Sequence, residues 1–112
     1  MRRKNYKGKC LKRKVAKCKD VVRAYDDIQY AYAQILSQDE RIKEFECNVD
    51  IMGAEYTTDF LCKKVDGDIS VRECVYRKLL NRPLTIKQLD ISRDYWLKHG
   101  VMDWGLVINE EK

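Results

Sequence analysis

The sequence predicts an α/β domain: a mixed β-sheet flanked by helices. Three observations carry this. Apolar residues recur at three- and four-residue spacing in two stretches, the mark of helices with one buried face. They alternate, or run unbroken, in four shorter stretches, the mark of strands. The two kinds interleave in the order helix, strand, hairpin, helix, strand, so helices must pack on a sheet. A chain of 112 residues is one domain's worth and can bury its own core.

The N-terminal segment is set apart by charge. Residues 1–19 hold ten Lys or Arg and no acid, whereas the rest of the chain holds thirteen bases and eighteen acids. With no clean apolar period, residues 1–19 read as a basic, flexible arm, and residues 20–112 as a single domain. A basic arm on a mildly acidic body suits nucleic acid, whose phosphates attract it without reading sequence. DNA is therefore the expected partner, with Arg2, Arg3, Lys4, Lys7, Lys9, Lys12, Arg13 and Lys14 as the expected contacts. No apolar run approaches the length of a membrane span, and no apolar stretch follows the basic start as in a secretion signal. The expected location is the cytoplasm, with no membrane partner.

Within the body, Asp20 is expected to cap a helix running to about Leu36, with Tyr25, Ile28, Gln29, Tyr32 and Ala33 on its inner side. Phe45, Cys47, Val49 and Ile51 alternate with polar residues and predict a half-buried strand. Residues 56–65 and 69–76 predict two strands joined at Asp66-Gly67. Asn81-Arg82-Pro83 breaks the chain, and Thr85 is the expected cap of a helix ending near Lys98 before Gly100. Asp103 to Asn109 predicts a final strand suited to a sheet interior. The expected core comprises Tyr25, Ile28, Tyr32, Phe45, Val49, Phe60, Val71, Leu89, Trp96, Trp104 and Val107.

The hairpin carries the candidate chemistry. Alternation places Glu73 on one face with Ile69, Val71 and Val75. An acid among aliphatics is costly unless something pairs it. Whether Asp59 meets it depends on the turn. A two-residue loop at Asp66-Gly67 would send the acids to opposite faces. A three-residue loop, Val65-Asp66-Gly67, with the glycine as a bulge, sets Asp59 beside Glu73. Two carboxylates so placed can hold Mg²⁺ or Mn²⁺, which can activate water for attack on a phosphodiester. Cross-strand acid pairs also occur with no metal at all.

Other schemes find little support. His99 is the sole histidine, and no glycine-rich phosphate loop is present. Cys10, Cys18, Cys47, Cys62 and Cys74 are odd in number and contain no Cys-x-x-Cys pair. They are expected to be buried free thiols rather than a zinc site.

An Asp on one strand followed by an acid on the next resembles the core of the PD-(D/E)XK nucleases. Glu55-Tyr56-Thr57-Thr58-Asp59-Phe60 is similar to the tyrosine-x-x-aspartate-phenylalanine stretch of the TnsA endonuclease N-terminal domain. Arg93-Asp94-Tyr95-Trp96, Gly100-Val101 and Trp104-Gly105-Leu106-Val107-Ile108 resemble that family's closing helix and strand, so the likeness runs from about Tyr25 to Ile108. It implies a restriction-endonuclease-like mixed β-sheet flanked by helices. It further implies a metal-dependent DNA endonuclease subunit of a mobile element, working beside a transposase or another nucleic-acid-processing protein. Asp59 and Glu73 would be the metal ligands, with Gln29 and Arg77 completing the catalytic set. Two positions depart from the family. Gln29 stands where it has a glutamate. Val75 stands where it has a lysine, leaving Arg77, Lys78 or Lys87 to replace that charge. With catalysis eroded, the same fold implies a binding module, such as a phage- or element-encoded regulator or inhibitor of a nucleic-acid-processing complex.

Overall fold

Glycine at the hairpin turn decides how the sheet is registered. In the computed structural model, which describes residues 11–51, 53 and 56–109, Gly67 has φ +94°, a conformation glycine reaches without steric cost. Lys64 and Asp68 close the turn through the Lys64 N–H to the Asp68 carbonyl at 2.8 Å, and the Gly67 N–H returns to the Lys64 carbonyl at 3.0 Å. This is the three-residue loop with a glycine bulge. It joins β4 (Thr57–Lys64) to β5 (Ile69–Val75) with Leu61 opposite Val71.

The four-stranded sheet has the order β3-β4-β5-β6, where β3 is Ile42–Asp50 and β6 is Asp103–Ile108. The first three strands are antiparallel, and β6 joins β5 in parallel, with Val71 opposite Trp104. Parallel neighbours need a crossover, and α2 (Pro83–Lys98) supplies it. The fold is thus the mixed α/β sheet flanked by helices that the sequence predicts. α1 (Asp27–Gln38) covers one face, where Ile28, Ala33 and Leu36 meet Phe45, Phe60, Cys62 and Cys74. On the other face Trp96 of α2 packs with Val71 and Val101.

Both helix starts differ from expectation. α1 begins after Asp26, whose carboxylate accepts the Gln29 N–H at 2.8 Å, while Asp20 instead accepts its neighbour Val21's N–H. Val22–Ala24 forms β2, since a β-branched residue here gains more from strand pairing than from a first helical turn. α2 begins at Pro83 rather than after Thr85, because proline at the first helical position loses no hydrogen bond. Its end is as expected. Gly100 (φ +87°) donates to the Leu97 carbonyl and Val101 to that of Trp96, and Val101 packs on Trp96.

The boundary expected after residue 19 falls inside folded structure. Leu11–Arg13 forms β1, paired antiparallel with β2, and Leu11, Val15 and Cys18 pack on the core. The Phe45 N–H donates to the Lys17 carbonyl at 2.9 Å, and the Lys19 N–H to that of Phe45 at 3.0 Å, docking this segment on the edge of β3. Residues 1–10 lie outside the described residues. Of the expected core, Ile28, Phe45, Phe60, Val71, Leu89 and Trp96 are buried, while Tyr25, Tyr32, Val49, Trp104 and Val107 are half-buried. No helix among the described residues is long and apolar enough to cross a membrane.

Candidate functional site around Asp59 and Glu73

Extending the β4–β5 register by one step sets Asp59 opposite Glu73. Each carboxylate reaches the other's strand. The Asp59 N–H donates to Glu73 Oε1 at 3.0 Å, and the Cys74 N–H donates to Asp59 Oδ2 at 2.7 Å. Side chains here take backbone N–H groups beyond the last paired residues, Phe60 and Arg72. Both acids are wholly buried, at 0% exposure. Burial of that kind is tolerable only with hydrogen bonds in place.

Those bonds come from every side. Tyr56 Oη donates to Glu73 Oε1 at 2.7 Å, and Ser92 Oγ, from α2, donates to Glu73 Oε2 at 2.5 Å. Ser92 Oγ itself accepts Trp104 Nε1 at 3.0 Å. On the α1 side, Gln29 Nε2 lies 3.5 Å from Asp59 Oδ1 and donates to Asn48 Oδ1 at 2.9 Å. Asn48 Nδ2 continues to the Arg23 carbonyl at 2.6 Å. Asn48 holds φ +56°, which asparagine tolerates better than most residues. The result is one polar chain threaded through β2, α1, β3, β4, β5, α2 and β6. Glu73 leads to one helix and Asp59 to the other.

Gln29 has a local reason to be glutamine. It stands three residues after the Asp26 cap, and its Oε1 accepts the Tyr25 N–H at 3.0 Å. This is a variant of the reciprocal capping box. The amide oxygen is therefore spent on the helix start, and the amide NH₂ is what faces the acids.

That arrangement fits a hard cation poorly. Mg²⁺ or Mn²⁺ needs converging oxygens, but Gln29 offers hydrogens. Glu73 already accepts three donors, against about four lone-pair positions on a carboxylate. No group of three or more His, Cys, Asp or Glu suited to a metal occurs among the described residues. A concavity of about 300 Å³ is lined by Asn48 and Thr57 but by neither acid.

β5 carries no basic residue at the position where the resembled nucleases have a lysine. Val75 is 1% exposed, in the core. β5 stops there, so Arg77 does not lie on its face. Arg77 instead opens a 3₁₀ turn, Arg77–Leu79, is exposed, and gives its N–H to Asn109 Oδ1 at 2.7 Å. Lys78 and Lys87 are exposed, the latter on the outer side of α2 among Ile86, Asp90 and Arg93. The structure thus brings Gln29, Asp59 and Glu73 together and leaves Arg77 out.

Tyr56, Ser92 and Asn48 belong to the network but escape a search for catalytic spacing. Ser92 had a signal: Thr85, Leu89, Ser92 and Trp96 share the buried face of α2, so a serine there must find a polar partner.

Among the basic residues, Lys12, Arg13 and Lys14 are exposed at β1. Lys17 Nζ is bound to the Asp39 carbonyl at 2.8 Å, and Lys19 lies 3.7 Å from Glu44 and 3.9 Å from Glu46. Arg2, Arg3, Lys4, Lys7 and Lys9 lie outside the described residues. The chain matches no family model and no curated protein.

Proposed function

We propose that this chain is a nucleic-acid-binding module on a nuclease-like fold, in which the acid pair holds the fold together and does not cut. One observation carries the reading. Asp59 and Glu73 are fully buried and engaged by Tyr56, Ser92, Gln29 and two backbone N–H groups, with Val75 where a catalytic lysine would stand. A phosphodiester is cut by an activated water, and carboxylates turned to protein donors in this way are poorly placed to activate one. The basic N-terminal segment supplies the binding, continued onto the folded domain by exposed Lys12, Arg13 and Lys14. The resemblance to TnsA domains adds the expected company: a transposase or another nucleic-acid-processing protein that does the chemistry.

The endonuclease reading has the juxtaposition of Asp59 and Glu73 in its favour. The two readings separate in a single assay. Supercoiled DNA is incubated with the protein and Mg²⁺ or Mn²⁺, and nicking and gel retardation are read together. Retardation that weakens steeply with salt, with no nicking in either ion, is expected. Nicking that disappears in Asp59→Ala would establish the endonuclease instead.

A further inference from the structure

Two of the thiols expected to be buried are only partly so. Cys62 and Cys74 are buried, but Cys18 and Cys47 are half-buried and line the same concavity of about 300 Å³. The fold brings them together by backbone bonds. Cys18 bridges Phe45 in parallel, pinned by the Lys17 carbonyl and the Lys19 N–H on either side. Cys47 follows two residues on, along the same edge of β3. The two lie close enough that each thiol is the largest influence on the other's titration. Thr57 also lines the concavity, and its buried hydroxyl has no hydrogen-bond partner among the described residues. A buried hydroxyl left over at the wall of a cavity points to a polar occupant.

We propose that Cys18 and Cys47 form a dithiol site that exchanges with a low-molecular-weight disulfide, with Cys18 attacking and Cys47 resolving. The walls indicate the substrate's chemistry. Lys19 and Arg23 suit carboxylates, and Asp20, Glu46 and Asp50 suit ammonium groups. A zwitterionic peptide disulfide such as oxidised glutathione has both. The Cys18 thiolate attacks one sulfur of the disulfide, forming a mixed disulfide and releasing one thiolate, which takes a proton from water. Cys47 then gives its proton to solvent and attacks the Cys18 sulfur. The Cys18–Cys47 bond forms as the second small thiol leaves. Two protein thiols are oxidised and one disulfide is reduced to two thiols.

The division of roles follows from the surroundings. The neighbouring Cys47 thiol lowers Cys18 to about 7, more than offsetting its partial burial and the nearby Asp20 and Glu46 carboxylates; the Asp20 backbone assists. Cys47, raised in turn by Cys18 and itself partly desolvated, is held well above the usual thiol range despite Arg23. Burial pushes Cys62 up to about 11, so it stays a spectator. A thiol held below its ordinary range is more thiolate at neutral pH and is suited to attack.

The test uses the full chain, reduced, then exposed to oxidised glutathione at pH 7, quenched in acid and mapped by mass spectrometry. Wild type is expected to show a Cys18–Cys47 linkage, with Cys62 and Cys74 reduced. Cys47→Ser should trap glutathione on Cys18, at least about tenfold above wild type, because the resolving step is gone. A second measurement needs no variant: the pH dependence of Cys18 alkylation in the folded wild type, expected to turn near 7. First reaction at Cys10, Cys62 or Cys74, equal trapping in wild type and Cys47→Ser, or an alkylation midpoint near the ordinary ~8.5 would each overturn the proposal.

Discussion

Ser92 receives one indole N–H and gives one hydroxyl hydrogen, so a single small side chain holds Glu73 and Trp104 at once. Ser92→Ala removes both bonds and leaves the buried Glu73 Oε2 and the part-buried Trp104 Nε1 each one bond short. The expected cost is about 1–3 kcal/mol in a denaturant melt, whereas a surface serine would cost less than about half a kcal/mol. At the sheet's other end, Asp103 takes Lys64 Nζ on Oδ2 at 2.7 Å and Arg72 Nη2 on Oδ1 at 2.8 Å, which ties β4, β5 and β6 together. Hydrogen bonding from Lys64, then from Arg72, holds the Asp103 carboxyl below its ordinary value. A carboxyl lowered by folding stabilises above its unfolded pKa and loses that contribution as pH falls through the folded one. The loss therefore begins below about pH 4. Because solvent reaches Asp103, the contribution is modest, about 1 kcal/mol. Asp103→Asn should cost that much at pH 7 and make no difference at pH 2. An equal cost at both pH values would assign the effect to packing rather than charge.

Elements were legible where local chemistry and tertiary packing agree. The hairpin is the clearest case, because Gly67 fits a bulge and the bulge fixes every pair along β4 and β5. Gly100 likewise announces the end of α2. Gly100→Ala is expected to cost about 1 kcal/mol, since its φ of +87° strains any residue with a Cβ. A neutral result would mean the helix end can relax. Misplacements came where two signals competed. Asp20 and Asp26 are both acceptable caps, and only the pairing of Val22–Ala24 with Leu11–Arg13 decides for Asp26. That pairing was hidden because a strand of Leu, Lys and Arg has no apolar alternation to show. The acids were legible as a pair, through register. The network around them was not, because Tyr56 and Ser92, which donate to Glu73, and Asn48, which accepts from Gln29, come from three separate elements and only the folded chain assembles them.

The whole molecule combines a basic N-terminal segment with a domain whose polar centre is sealed. Since Leu11, Val15 and Cys18 pack on the core, deleting residues 1–19 should lower the melting temperature as well as DNA affinity. Replacing Lys12, Arg13 and Lys14 together by Ser separates the two effects. Stability should stay within about half a kcal/mol, and the slope of log affinity against log salt should flatten by as much as about 2.7, about 0.9 for each phosphate no longer neutralised. An unchanged slope would place the binding surface elsewhere. The role of the acid pair is the central claim, and its most direct test is a denaturant melt of wild type, Asp59→Ala and Glu73→Ala, each with and without Mn²⁺. The strand pattern alone suggests that removing an acid from an apolar face would spare or stabilise the fold. The observed network reverses that, because Asp59→Ala removes an acceptor of the Cys74 N–H, and Glu73→Ala removes an acceptor of Tyr56, Ser92 and the Asp59 N–H. Each variant should lose at least about 2 kcal/mol, and Mn²⁺ should leave all three melts unmoved. Variants as stable as wild type, together with a wild type that gains stability from Mn²⁺, would contradict the account and return Asp59 and Glu73 to a metal site.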